Sequence, residues 1–231
     1  LIKLGKQSGA IKAYDMTTRI IPDNDAYELP RLGKIKYQAL NKKGLTFVRN
    51  QQFKEAALEF EKALNIDPNS YATWLNKGLA EVRIDKLDEA LKAFDRATTL
   101  NPGSHEAWNY KGFVLEDLGR LKDAISSFDR AIKVNPNFIA ALNNKGLVLD
   151  KRGKHGEAIE AYNSAIQANP AFDAAWFNMA CAYSLLGEKD NMLDSLKKAL
   201  DLNHRYKMGL QQVPDFLRYR NDPEFLKLSG R

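Results

Sequence analysis

One dipeptide returns at a constant interval along the chain. Lys-Gly stands at 43–44, 77–78, 111–112 and 145–146, so each copy follows the last by 34 residues. A fixed stride over four cycles indicates a chain built from repeated units of one length. A unit this short cannot bury its apolar face alone, so neighbouring units must stack on one another.

Three further positions recur in the same phase and predict a helical core. Each unit has an alanine, an aromatic residue four positions later and a second alanine three positions after that. The members are Ala56, Phe60 and Ala63; Ala90, Phe94 and Ala97; Ala124, Phe128 and Ala131; and Ala158, Tyr162 and Ala165. This spacing puts each trio on one face of a helix. We expect the alanines to let a neighbouring helix approach and the aromatic ring to fill the space between.

Proline and glycine predict where these helices end. A proline closes each unit, at Pro68, Pro102, Pro136 and Pro170. Proline stops a helix because it has no N–H for the backbone ladder and restricts the residue before it. Gly119, Gly153 and Gly187 mark the turn inside a unit, which is therefore a helical hairpin. We expect the glycine of each Lys-Gly pair to lie where the two helices of a hairpin come closest.

The units resemble the tetratricopeptide repeat, whose pattern places Trp, Leu-Gly, an aromatic, Ala, Phe, Ala and Pro at fixed offsets. Trp74 and Trp108 fill the leading Trp position, with Leu40 and Leu142 as substitutes. The resemblance implies an all-α fold, a right-handed superhelical solenoid of antiparallel helix pairs. It also implies that the first helices of successive units line a concave groove.

The repeat register divides the chain into four parts. Residues 1–22 match only the second helix of a partial N-terminal repeat, residues 23–36 form an insertion or linker, residues 37–206 hold five repeats, and residues 207–231 form a C-terminal capping helix region. The five repeats are predicted at 37–70, 71–104, 105–138, 139–172 and 173–206, the last of them degenerate. In the cap, Asp222 followed by Pro223 predicts a helix start.

The resemblance assigns a peptide-binding groove to side chains of the first helices. The predicted groove residues are Asn41, Leu45, Leu75, Asn76, Leu79, Asn109, Phe113, Asn143, Asn144, Leu147 and Asn178. They form an apolar stripe flanked by amides, and an amide can both donate to and accept from a peptide backbone. Asn76, Asn144 and Asn178 resemble the asparagine ladder of some peptide-binding arrays, although Lys42 and Tyr110 interrupt it.

Two simpler interpretations of the same residues stay open. The asparagines can be polar residues tolerated on a solvated helix face. Leu79 and its equivalents can pack between adjacent first helices without facing a ligand.

No pattern in the sequence indicates an enzyme. We find no metal-ligand spacing, nucleophile elbow or phosphate-binding glycine loop, so neither a catalytic site, a metal nor a cofactor is expected. The single cysteine, Cys181, allows no disulfide within the chain and favours a cytoplasmic location. No apolar run is long enough for a membrane span. The net charge of +6 is concentrated at the two ends, which makes nucleic acid an unlikely partner.

The sequence therefore predicts a non-catalytic scaffold that binds a protein, as a peptide or partner helix, in its concave groove. Glu116, Asp117 and Asp150 would give that groove a negative patch that selects basic ligands. One alternative is self-association into a homo-oligomer through the open N-terminal end. Another is that the chain is the recognition part of a longer enzyme.

Overall fold

A computed structural model describes residues 31–230 as helices joined by short turns, with no strand in that range. The α-helices are α1 (Arg31–Arg49), α2 (Phe53–Leu64), α3 (Tyr71–Arg83), α4 (Leu87–Leu100), α5 (His105–Asp117), α6 (Leu121–Val134), α7 (Ile139–Lys151), α8 (His155–Ala168), α9 (Asp173–Leu186), α10 (Lys189–Leu202) and α11 (Pro223–Ser229). Short 3₁₀ segments span His204–Lys207, Leu210–Gln212 and Pro214–Tyr219.

Consecutive helices pack as antiparallel pairs, α1 with α2 through α9 with α10. The described residues fall into two compact units, which we call the N-terminal unit (residues 31–134) and the C-terminal unit (residues 135–230). The predicted all-α fold of helix pairs is confirmed. The partial repeat predicted at 1–22 lies outside the described residues. The last six residues of the predicted linker, 31–36, belong to α1.

The alanine–aromatic–alanine trios form the core, as predicted. All twelve of these side chains are fully buried. Each aromatic ring also lies against the Lys-Gly glycine of its own hairpin. A Cβ added to Gly44 would come within 2.6 Å of the Phe60 ring, and one added to Gly78 within 2.7 Å of the Phe94 ring. These distances are too short for a real Cβ contact, so the closest approach predicted at these glycines is confirmed.

The turns inside the hairpins share one left-handed backbone position. Gly119, Gly153 and Gly187 occupy it with φ of +75°, +72° and +82°, as their place in the sequence pattern suggests. In the first two hairpins the same position is held by Gln51 and Asp85, with φ of 59° and 60°. A residue with a side chain is strained in this conformation by roughly 1–2 kcal/mol, a cost that glycine avoids.

Replacing Asp85 with glycine should therefore stabilise the protein. We expect Asp85→Gly to raise the free energy of unfolding by about 0.5–1 kcal/mol, because relief of the strain exceeds the extra chain entropy that glycine loses on folding. Urea unfolding followed by circular dichroism measures the change. Gly119→Ala is the matched control and should be destabilised. A lower urea midpoint for Asp85→Gly than for the wild type would contradict the strain argument.

The C-terminal cap has the predicted helix start. The carboxylate of Asp222 accepts hydrogen bonds from the backbone N–H groups of Glu224 and Phe225, and Pro223 follows it as the first helical residue. Phe216 and Phe225 are buried against Met192 and neighbouring residues of the last helix pair. The cap thus covers apolar surface that another repeat would otherwise have to cover. Within residues 31–230, no helix combines the length and apolar character needed to cross a membrane.

Candidate functional site

The apolar stripe predicted from the sequence lies on the first helices of the N-terminal unit. Leu45, Leu79 and Phe113 stand one repeat apart, on α1, α3 and α5, and each is half-buried. Leu75, one helical turn before Leu79, is fully buried and belongs to the core beneath. Leu45 also packs against a core cluster that includes Ala80 of α3, so for this residue the interpretation as packing between first helices holds in part. Part of each of the three side chains remains exposed.

The asparagines of this unit are buried and do not lie on a solvated face. Asn41, Asn76 and Asn109 are 6%, 4% and 2% exposed. Among the residues that the structure describes, Asn41 Oδ1 and Asn76 Nδ2 have no hydrogen-bond partner. Buried polar atoms are normally hydrogen-bonded, so one unpaired acceptor and one unpaired donor beside the apolar stripe are unusual.

In the C-terminal unit, the two asparagines at the equivalent positions are hydrogen-bonded to each other. Asn143 and Asn178 stand three repeats after Asn41 and Asn76, and Asn178 Nδ2 donates to Asn143 Oδ1 at 2.9 Å. This buried hydrogen bond joins α7 to α9. Asn144 and Leu147 are buried as well, so the half-exposed stripe of the N-terminal unit has no equivalent at Leu147.

The acidic residues predicted to form a patch occupy different environments. Glu116 is buried and Asp117 is exposed, both on α5. Asp150, in the C-terminal unit, accepts a hydrogen bond from the Tyr162 hydroxyl at 2.7 Å and lies 2.9 Å from His155 Nδ1. The sequence did not single out Glu81, which is also buried on α3. Burial raises the pKa of Glu81, although Lys77 at 3.4 Å opposes this shift.

The lysines of the Lys-Gly pairs have structural partners that the sequence analysis did not identify. Lys43 pairs with Glu59 at 3.1 Å, linking α1 to α2, and Lys111 pairs with Asp95 at 2.8 Å, linking α5 to α4. Lys77 and Lys111 also lie over the rings of the tryptophans three residues before them, at 5.5 and 5.1 Å from the ring centroids. The Trp-x-x-Lys spacing was the available signal, because residues i and i+3 of a helix are neighbours.

The tryptophans form hydrogen bonds across the turns between hairpins. The indole N–H groups of Trp74, Trp108 and Trp176 each donate to the carbonyl of the proline six residues earlier, at 2.8, 2.9 and 3.0 Å. Tryptophan and proline are therefore a structural pair in these units. The residues that define the repeat therefore serve packing, whereas Leu45, Leu79 and Phe113 of the stripe are only half-buried.

Comparison with known proteins decides the family. One tetratricopeptide-repeat model matches residues 75–137 and 114–174, and a second matches residues 37–70 and 173–204. The chain belongs to the tetratricopeptide-repeat family. Repeats of this family typically act as non-catalytic scaffolds for protein interaction, and the matches indicate no family of enzymes. Among residues 31–230, no group of three or more His, Cys, Asp or Glu side chains is arranged to hold a metal ion.

Solved structures share the tetratricopeptide-repeat architecture of this chain. A crystal structure of MamA is 30% identical, with a TM-score of 0.67, over 70% of this chain and 95% of that chain. A second MamA structure is 28% identical, with a TM-score of 0.69, over 75% and 94% of the two chains. YrrB, described as a TPR protein with an unusual peptide-binding site, is 21% identical, with a TM-score of 0.65, over 75% and 89%. At that identity the likeness to YrrB shows the fold alone. No curated protein sequence matches the chain.

Proposed function

We propose that this tetratricopeptide-repeat chain is a non-catalytic scaffold whose first helices bind a partner protein through an extended peptide or a helix. The observation that carries the proposal is the half-buried stripe of Leu45, Leu79 and Phe113 beside the unpaired Asn41 Oδ1 and Asn76 Nδ2. Apolar side chains of a ligand would cover the stripe and remove its remaining surface from water. Both amide atoms are buried, so their side chains would have to rotate toward the ligand, where Asn41 Oδ1 would accept from a backbone N–H and Asn76 Nδ2 would donate to a backbone C=O.

The spacing of the helices suggests how an extended ligand fits. α1 contacts α3, and α3 contacts α5. Packed helices lie about 8–10 Å apart, which is the length of about three extended residues. A peptide crossing the first helices would therefore place one apolar anchor on the stripe about every third residue.

Capture of ligand by a groove variant tests this proposal. We expect the wild-type chain to capture a partner in a pull-down, and the Leu79→Glu, Phe113→Glu variant to lose that partner. Equal capture by both chains would overturn the proposal. The proposal also includes a cytoplasmic location, which is supported by a single cysteine that is free and buried.

Self-association is a second candidate, and it rests on α1. The first turns of α1 expose two large apolar side chains, Leu32 at 79% and Ile35 at 55%. Apolar residues this exposed are typical of surfaces that bind another protein, including a second copy of the chain. Light scattering tests this candidate. We expect a homo-oligomer for the wild type and a monomer for Leu32→Glu, Ile35→Glu, whereas a monomeric wild type would remove this candidate.

A further inference from the structure

The C-terminal unit contains a small cavity between α7, α9 and the 3₁₀ segment at Pro214–Tyr219. The cavity has a volume of about 100 Å³, and Leu147, Cys181 and Leu185 supply apolar wall. Two carboxyl groups also line it, Asp150 from α7 and Asp215 from the capping segment. We call this cavity the Asp150–Asp215 pocket.

Asp150 is held in place by a polar network that exists in one repeat. The His155 ring and the Tyr162 hydroxyl each bind one of its two carboxyl oxygens, at 2.9 and 2.7 Å. In the second repeat, Val82, Leu87 and Phe94 fill the same three positions. Since the second repeat packs with apolar residues at these positions, stacking does not require the polar set. Asp150, His155 and Tyr162, which replace these apolar residues in the fourth repeat, together fix one carboxyl group at the wall of the pocket.

Asp215 is fixed by the attachment of the cap to α9. The Ser184 hydroxyl donates to the backbone carbonyl of Asp215, and Arg218 Nη1 donates to the backbone carbonyl of Ser184 at 3.2 Å. Within residues 31–230, the half-buried carboxyl group of Asp215 forms no ion pair with a Lys, Arg or His side chain. Burial raises the pKa of Asp215, and the Cys181 thiol and His155 oppose this shift.

The two carboxyl groups of the pocket have few cationic partners. Lys151 lines the pocket but is exposed, and His155 is already bound to Asp150. Burial raises the pKa of Asp150, and its hydrogen bonds from His155 and Tyr162 oppose this shift. A half-buried carboxylate without a cation is unfavourable, and an incoming positive charge would offset that cost.

We propose that the Asp150–Asp215 pocket binds the cationic side chain, arginine or lysine, of a peptide lying on α7 and α9. This inference rests on the proposed function, since it assigns a chemical class to one side chain of the bound peptide. Leu147 and Leu185 would contact the methylene stem, and the two carboxyl groups would accept hydrogen bonds from the charged head. A neutral or acidic side chain would leave Asp215 without a cation.

Titration of the full chain with two matched small molecules tests the pocket. The probes are Nα-acetyl-arginine amide and its neutral isostere Nα-acetyl-citrulline amide, followed by the NMR signals of the Leu147 and Leu185 methyl groups and the Asn178 side-chain amide. We expect the arginine probe to shift these signals with saturation, and the citrulline probe to leave them unchanged at the same concentrations. An equal response to both probes would overturn the proposal, and this comparison uses only the wild-type chain.

Two variants locate the response. Asp215→Asn should weaken binding of the arginine probe at least tenfold, whereas Asp190→Asn, which removes an exposed carboxylate on α10, should leave it unchanged. An arginine response that persists in Asp215→Asn would also overturn the proposal. A failure of the proposed function can be told apart from a failure of this inference. The Leu79→Glu, Phe113→Glu variant tests the proposed function, and its changes lie in the N-terminal unit. It should therefore bind the arginine probe as the wild type does.

Discussion

The Phe94→Ala variant is expected to lose roughly 3–5 kcal/mol of the free energy of unfolding, the range for emptying a buried aromatic site. The Phe94 ring is fully buried and lies against the backbone of Gly78 in its own hairpin. It also stacks on Tyr110 of the next repeat, with ring centroids 5.8 Å apart. Truncation therefore removes contacts within one repeat and between two repeats. In a repeat array, both kinds of contact contribute directly to stability.

Urea unfolding monitored by circular dichroism measures this loss. Leu58→Ala is the control, because it truncates a large apolar side chain that is already half exposed on α2. Surface substitutions of this kind usually change stability by less than about 0.5 kcal/mol. If Phe94→Ala unfolded at the same urea concentration as the wild type, the assignment of the aromatic position to the core would be wrong.

The Leu79→Glu, Phe113→Glu variant is expected to lose about 100-fold or more in affinity for its peptide ligand. Each apolar side chain of the ligand that is buried against the stripe contributes about 1.5 kcal/mol or more to the binding free energy. Each 1.4 kcal/mol corresponds to a factor of ten in Kd, so loss of two such contacts weakens binding about 100-fold. Both side chains are half-buried at the surface, so the introduced carboxylates can reach water and the fold should persist. The change in binding would then arise from the groove.

Circular dichroism and light scattering should show unchanged helix content and oligomer size for this variant. The control is Leu58→Glu with Leu202→Glu, which adds the same two charges at exposed leucines of second helices α2 and α10. Loss of binding in both double variants would contradict the assignment of the ligand to the first helices.

Much of the fold follows from the sequence because each repeat meets the same neighbours. Phe60, Phe94 and Phe128 recur at one interval, since every hairpin must fill the same space next to a Lys-Gly glycine. The helix start at Asp222 was also predictable, because capping depends on a few adjacent residues. The turn position shows the limit of this reasoning. Glycine marks it in later repeats, but Gln51 and Asp85 adopt the same conformation without any glycine signal.

The environment of the groove residues could not be derived from the repeat pattern. Asn41 and Asn143 occupy equivalent positions, yet Asn143 Oδ1 accepts a hydrogen bond from Asn178 while Asn41 Oδ1 has no partner among residues 31–230. The difference depends on side-chain rotamers and on the neighbouring helix, which a single-repeat pattern does not contain. The repeat pattern could not predict the Asp150–Asp215 pocket either, because Asp215 comes from the cap, outside the repeat register.

Site-specific photocrosslinking tests most directly whether the first helices bind the ligand. Benzoylphenylalanine would replace either Lys42 or Lys92, two exposed lysines of which Lys42 lies on α1 next to Asn41 and Lys92 lies on α4. With binding along the first helices, the ligand crosslinks to the chain carrying the probe at position 42, and mass spectrometry finds the attached peptide there. Crosslinking of the same ligand at position 92 but not at position 42 would contradict peptide binding by the first helices.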